Sequence, residues 1–144
     1  GNTELTVSIV NRVATFTIPP DMNGAEPITS RATDPGSLWD EDSAIFTVDA
    51  VNDAPIVTDI PDQTVDEDTP FTSNKLDDYV SDVDNDYTEI TWTYTGNTSQ
   101  TITHLDRKAT RTTPTIDWNG AETITFTATD TGNLTDSDEI GRAS

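Results

Sequence analysis

Apolar residues recur at every second position in most stretches that carry them. In "EITWTYT", Ile90, Trp92 and Tyr94 fall on one face and Thr91, Thr93 and Thr95 on the other, the two-residue period of a strand with one buried face. "LTVSI" (Leu5, Val7, Ile9), "ATFTI" (Phe16, Ile18), "ETITFTATD" (Ile124, Phe126, Ala128) and "AIFTVDA" (Phe46, Val48) repeat the pattern. Threonine fills the outward positions because a β-branched polar side chain suits a pleated, solvated face. No stretch of useful length carries helical spacing, and the strands are punctuated by Asn-Gly, Pro-Gly and Thr-Gly. The expected fold is all-β, an antiparallel Greek-key β-sandwich.

The pattern repeats within the chain. "GNTELTVSIVNRVATFTIPPDMNGAEPITSRATDPGSLWDEDS" aligns with "GNTSQTITHLDRKATRTTPTIDWNGAETITFTATDTGNLTDSDE", Gly1 with Gly96 and Asn23 with Asn119, and one inserted residue near Ile116 accounts for the change of offset from 95 to 96. Arg12 meets Arg107, Asp21 meets Asp117, Gly24 meets Gly120, Asp34 meets Asp130 and Asp42 meets Asp138. A period of this length exceeds that of a solenoid repeat and suits an Ig-sized domain. The chain is thus expected to hold one and a half tandem repeats: residues 1–50 as the C-terminal half of one, and 51–144 as a nearly complete second that lacks the counterpart of "AIFTV", its last strand. The chain opens at "GNTELTVSIV", inside a strand-like pattern, and reads as a piece of something longer.

Charge narrows the partners. With 27 acidic against 7 basic residues the net charge is −20, which repels nucleic acid and anionic membranes and favours a divalent cation. No cysteine is present, so neither a disulfide nor a thiolate metal site can form. Small extracellular domains of this kind point to an exported bacterial protein, extracellular or at the cell surface. No run of apolar residues is long enough for a spanning helix.

The segment "ATDPGSLWDEDSAIFTVDAVNDAPIV" resembles the end of a cadherin repeat, where an A-x-D-x-G segment and a last strand run into a D-x-N-D-N-x-P linker. With "DMNGAEPITSRATD" and "DWNGAETITFTATD" around the "VNDAP" junction, the chain is similar over almost its whole length to bacterial cadherin-like and tandem Ig-like repeats of large surface proteins. The resemblance implies a calcium-stiffened hinge. Calcium takes roughly six to eight oxygen ligands in tolerant geometry, and a short acidic hinge supplies oxygen. Asp49 precedes the linker, Asn52 and Asp53 lie in it, and Pro55 holds Ala54 extended. By the resemblance, Asp82 and Asp84 of "SDVDND" match the family's D-x-D, Asp130 of "TATDTG" its x-D-x, Asp21 and Asn23 of "PDMNG" its D-R-E, and Glu67 of "VDEDTPF" the glutamate that serves the next junction downstream. Ala50 replaces the first linker aspartate, so this junction is expected to hold Ca2+ weakly.

Plainer readings stand beside these. "DMNG" and "DWNG" read first as Asx-stabilised turns, whereas three aspartates in "SDVDND" repel one another without a cation. An EF-hand is excluded, since the twelfth position from Asp82 is Thr93. His104 stands where the first repeat has Ile9 and reads as a degenerate, partly exposed core position. It lacks the elbow and oxyanion turn of a Ser/His/Asp site, so no catalytic residue and no cofactor-binding residue are assigned. Gln100, His104 and Arg111 replace Leu5, Ile9 and Phe16, so a thinner core is expected in the second repeat. The function expected is a calcium-dependent adhesion or spacer module. The alternative is a carbohydrate-binding accessory module of a secreted polysaccharide-degrading enzyme, with Trp39 as the aromatic platform for surface glycans. Expected partners are neighbouring repeats of the same protein, and a second copy through strand exchange at unpaired edges.

Overall fold

The computed structural model describes residues 5–105, 107–112 and 117–141, except for the side chains of His104 and Leu105. The expectations for His104 as a core position and for the insertion near Ile116 lie outside the described residues. The chain divides into two units, Gly1–Val51 and Asn52–Ser144.

Unit 1 is two antiparallel hairpins. Strands β1 (Thr6–Val10) and β2 (Val13–Thr17) are joined by Asn11 and Arg12 at φ 51° and 66°, a two-residue loop whose positive φ matches the right-handed twist of the strands it joins. Strands β3 (Gly24–Thr33) and β4 (Trp39–Val48) pair over their full length. Their turn closes through Asp34, whose Oδ1 accepts from Leu38 N at 2.9 Å and whose N–H donates to Leu38 O at 2.8 Å. The hairpins meet where Phe16 stacks on Phe46 at 4.4 Å and Glu26 Oε2 accepts from Leu5 N at 2.7 Å. Only Leu5 and Met22 are buried among the described apolar residues here, and Ile9 is 72% exposed. The half-buried faces expected of "LTVSI" and "ATFTI" are therefore largely open, because alternation orients side chains without supplying anything to cover them.

Unit 2 contains β5 (Ile56–Val57), β6 (Asn74–Lys75), a 3-10 turn (Leu76–Tyr79), β7 (Val80–Ser81), β8 (Thr91–Thr95), β9 (Thr101–Leu105), β10 (Lys108–Thr112), β11 (Thr123–Thr129) and β12 (Thr135–Gly141). One sheet has the order β12-β11-β8, another β6-β10-β9, and β5 pairs with β7. Since β8 and β11 are neighbours in one sheet while the intervening β9–β10 hairpin lies in the other, unit 2 is an antiparallel Greek-key β-sandwich. Ile60, Leu76, Ile90, Trp92, Ile102, Ala109, Ile124, Phe126, Ala128 and Ile140 form its core. The alternation of Ile124, Phe126 and Ala128 against outward threonines is realised residue by residue in β11. Besides its short pairing with β7, the segment around β5 is held by carboxylates: Asp136 Oδ2 accepts from Val57 N at 2.8 Å and Asp138 Oδ2 from Ile60 N at 2.7 Å.

The aligned hairpins make the same bonds in both units. Gln100 N donates to Glu122 Oε2 at 3.0 Å as Leu5 N does to Glu26, and Leu134 N donates to Asp130 Oδ1 at 2.8 Å as Leu38 N does to Asp34. Arg107 and Asp117, at φ 62°, repeat the left-handed conformations of Arg12 and Asp21. Strand β12 is the counterpart of β4, and "AIFTV" is the second half of β4, whose aligned residues in unit 2 begin at Ile140. Glu122 is held by an unusually dense set of donors. Burial pushes its carboxyl upward, but the Thr98 hydroxyl and the amides of Gln100, Ser99 and Thr98 outweigh that and leave it below the usual glutamate value.

The thinner core shows at the positions of Leu5 and Phe16. Gln100 and Arg111 are both buried, and Gln100 Oε1 and Arg111 Nη2 have no hydrogen-bond partner.

Candidate functional site: the hinge pole of unit 2

Three short segments of unit 2 meet at the end where the chain enters it. The first is the turn at 82–85. Asp82 Oδ1 accepts from both Asp84 N, at 2.8 Å, and Asn85 N, at 2.9 Å, an Asx turn that any Asp in this position favours. Using one carboxylate oxygen in this way leaves Asp82 Oδ2 buried with no donor, and Asn85 Oδ1 is likewise buried and unpartnered.

The second is the β11–β12 turn. Asp130 is buried and caps the turn through Oδ1, while its backbone N–H donates to Leu134 O at 3.1 Å. Asn133 takes φ 68° to close the loop, a conformation that Asn tolerates better than most residues. The third is the hinge itself. Asn52 Nδ2 donates to Asp130 Oδ2 at 2.7 Å, and Asp53 N donates to Asp84 Oδ2 at 2.8 Å. Asn85 Nδ2 donates to Thr131 Oγ1 at 2.9 Å and so joins the first two segments directly. The result is a closed circuit of hydrogen bonds from Asp130 through Asn52, Asp53, Asp84, Asp82 and Asn85 to Thr131. Gly132 is required in it, because a Cβ there would lie 2.6 Å from Asn52 Nδ2. Pro55, fully buried, anchors the chain just beyond.

The hinge is therefore short because its downstream half, Asn52 onward, is already part of unit 2. Its acidity has a local use: Asp130, which spends Oδ1 on its own turn, offers Oδ2 to the incoming Asn52 side chain, and Asp84 offers Oδ2 to the incoming Asp53 backbone. Charge-assisted bonds of this type are stronger than neutral ones. Neither ion pair among the described residues, Lys75 with Asp78 and Arg107 with Asp77, involves a residue of the pole. Nearby, the Thr88 backbone and hydroxyl bonds, with Arg107 adding, hold the Asp86 carboxyl below its ordinary value.

Of the site residues expected from the sequence, Asn52, Asp53, Asp82, Asp84 and Asp130 come together at this pole. Asp49 follows β4 in unit 1, as an exposed residue. Asp21 and Asn23 form the β2–β3 turn of unit 1, Asp21 in the left-handed region; their counterparts in unit 2 make the turn bond Asn119 Nδ2 to Asp117 O at 3.4 Å. Glu67 is exposed on the segment between β5 and β6. That segment is tied to the far end of β12 by Gly141 N donating to Asp62 Oδ1 at 2.6 Å, so Glu67 belongs to the pole opposite Asp130. Asn85 and Thr131 complete the circuit and were not among the expected residues. The signal was present in "SDVDND", where an Asn stands among the aspartates.

The oxygen-only donor set suits a hard cation such as calcium. Among the described residues, however, no group of three or more His, Cys, Asp or Glu side chains is disposed to hold a metal ion. The pole fits calcium in donor type, through Asp82, Asp84, Asn85 and Asp130, and falls short in number. Trp39, the expected sugar platform, is 54% exposed, but the Arg31 guanidinium lies 3.9 Å over its ring and occupies one of its faces.

The bacterial Ig domain family matches residues 52–140. No curated protein matches the chain. Among solved structures the chain is similar to Protocadherin Gamma B7 extracellular cadherin domains 1–4, at 26% identity and a TM-score of 0.44, covering 81% of this chain and 31% of that one.

Proposed function

From the premise that the chain belongs to the bacterial Ig domain family, we propose that it is an adhesion or spacer module of an extracellular or cell-surface repeat protein whose hinge pole takes up calcium. Domains of this kind are generally non-catalytic and usually extracellular or surface-exposed. The observation that carries the calcium reading is the pair of buried oxygens, Asp82 Oδ2 and Asn85 Oδ1, left without a donor beside the carboxylates that hold Asn52 and Asp53. A buried acceptor with no partner costs about 1–3 kcal/mol, and a cation between them removes that cost. Water and backbone carbonyls of the hinge from Asn52 onward complete the shell. Such a site is weak, with a dissociation constant of about 10⁻⁴–10⁻³ M, typical of extracellular modules. Bound calcium then stiffens the hinge by favouring the state that offers the most ligands.

Thermal unfolding tests this. At about 5 mM calcium, a site of that affinity stabilises unit 2 by about 1–2 kcal/mol relative to chelator, a rise of about 5–10 °C in Tm. Asp82→Asn keeps the Oδ1 acceptor of the Asx turn and removes the charge, so it should fold and lose the rise. Equal melting temperatures in calcium and chelator, or a rise that survives Asp82→Asn, would sink the calcium reading.

A further inference from the structure

Because the hairpins of the two units align in sequence and share the bonds to Glu26 and Glu122 and to Asp34 and Asp130, unit 2 shows what covers the surface that unit 1 leaves open. In unit 2, β11 carries β12 on one edge and β8 on the other, pairing Thr125–Thr129 with Thr95–Thr91. Strand β10 carries β9 and β6 in the same way. Among the described residues, β3 has β4 on one edge and no strand on the other, and β2 has only β1. The faces differ accordingly. Val7 is 38% exposed where its counterpart Ile102 is 6%, and Phe16 is 37% exposed where Arg111, lying under Phe71, is 3%. An apolar inner face and two free edges together are a template for an added strand.

We propose that residues 5–48 are an acceptor surface for a polypeptide segment with the strand pattern of residues 56–95. Its last strand adds antiparallel to the free edge of β3 along Thr29–Thr33, in the register of Thr95–Thr91 on β11. That strand alternates as β8 does, with bulky apolar side chains at the positions of Trp92 and Tyr94 turned onto Ile28 and Ala32. An aromatic in the place of Phe71 covers Phe16. The occupant is thus a donor of the same architecture, recognised by main-chain pairing and by the apolar stripe rather than by charge. This surface lies wholly within unit 1 and does not depend on any cation at the hinge pole.

The test joins a second copy of residues 52–95 ahead of residue 1 of the full chain and follows amide hydrogen exchange. The amides of residues 29–33 that point away from β4 should slow by about 100-fold or more, as edge amides do when they enter a ladder within a cooperative unit. Ile28→Asp, at the position of core Ile124, should abolish that protection while the amides of 125–129 stay protected. Unchanged exchange at 29–33 in the extended chain, with unit 2 intact, would overturn the proposal. So would protection that persists in Ile28→Asp. Protection that rises with concentration in the unextended chain would overturn it too, by assigning the face to a second copy instead.

Discussion

Phe126→Ala should abolish cooperative unfolding of unit 2 at ordinary temperatures, or lower its Tm by at least about 15 °C. Phe126 is 1% exposed at the middle of β11, the central strand of its sheet, and its ring lies 6.3 Å from that of Tyr94. Ile124 and Ala128 flank it on the same face, and Ile60, Leu76 and Ile140 belong to the same core. Truncating a buried Phe costs about 3–5 kcal/mol, through lost transfer free energy and the cavity left behind. Small domains have only about 5–15 kcal/mol in total. Unit 2 stands toward the lower end of that range, because it buries Gln100 and Arg111 incompletely partnered and belongs to a chain of net charge −20. At about 4–8 °C per kcal/mol for a domain of this size, the loss removes most of the stable temperature range. Circular dichroism melting checks it, and a fall of less than about 5 °C would mean that the core is not organised around β11.

Arg111→Met should work in the opposite direction and raise Tm by about 5–15 °C. Arg111 occupies the position of Phe16, is buried on the core-facing side of β10, and has Nη2 without a partner. Burial pulls its pKa down, and the charge of Asp62 recovers part of that. Its remaining compensation is the ring of Phe71, 4.8 Å from the guanidinium carbon, a contact of about 2 kcal/mol at a desolvated site. Replacing an imperfectly paired buried charge by an apolar side chain of similar volume commonly stabilises by about 1–4 kcal/mol. Methionine is flexible enough to fill the space over Phe71 and keeps the sulfur near the ring. Asp62 is exposed and is re-solvated once the cation is gone. A lower Tm for Arg111→Met would show that the Arg111–Asp62 attraction outweighs desolvation.

These contrasts also mark what could be read from the chain. The faces of β8 and β11 were legible because alternation, turn residues and a covering partner all lie within one unit. Val7 and Ile9 carry the same alternation as Trp92 and Tyr94, yet they are open, since periodicity orients a side chain and does not say what lies over it. Strands β5, β6 and β7 have two residues each and leave no period to detect. At the hinge, residue type and approximate place were legible: aspartate and asparagine on both sides of a short linker. The pairing was not, because Asn52 meets Asp130 and Asp53 meets Asp84 only after β8 and the β11–β12 hairpin have set the turns side by side. Asn85 carries no charge to single it out in the sequence, although an amide oxygen is also a hard ligand.

The proposed function rests on calcium at the hinge pole of unit 2, on the circuit from Asp130 to Thr131. Its most direct test is a calcium titration of the full chain, read as backbone amide chemical shifts. Saturable changes are expected, concentrated at residues 52–53, 82–85 and 130–134, with a common dissociation constant of about 10⁻⁴–10⁻³ M. Shifts that never saturate, or that centre on 66–68 and 117–119 at the opposite pole, would contradict it.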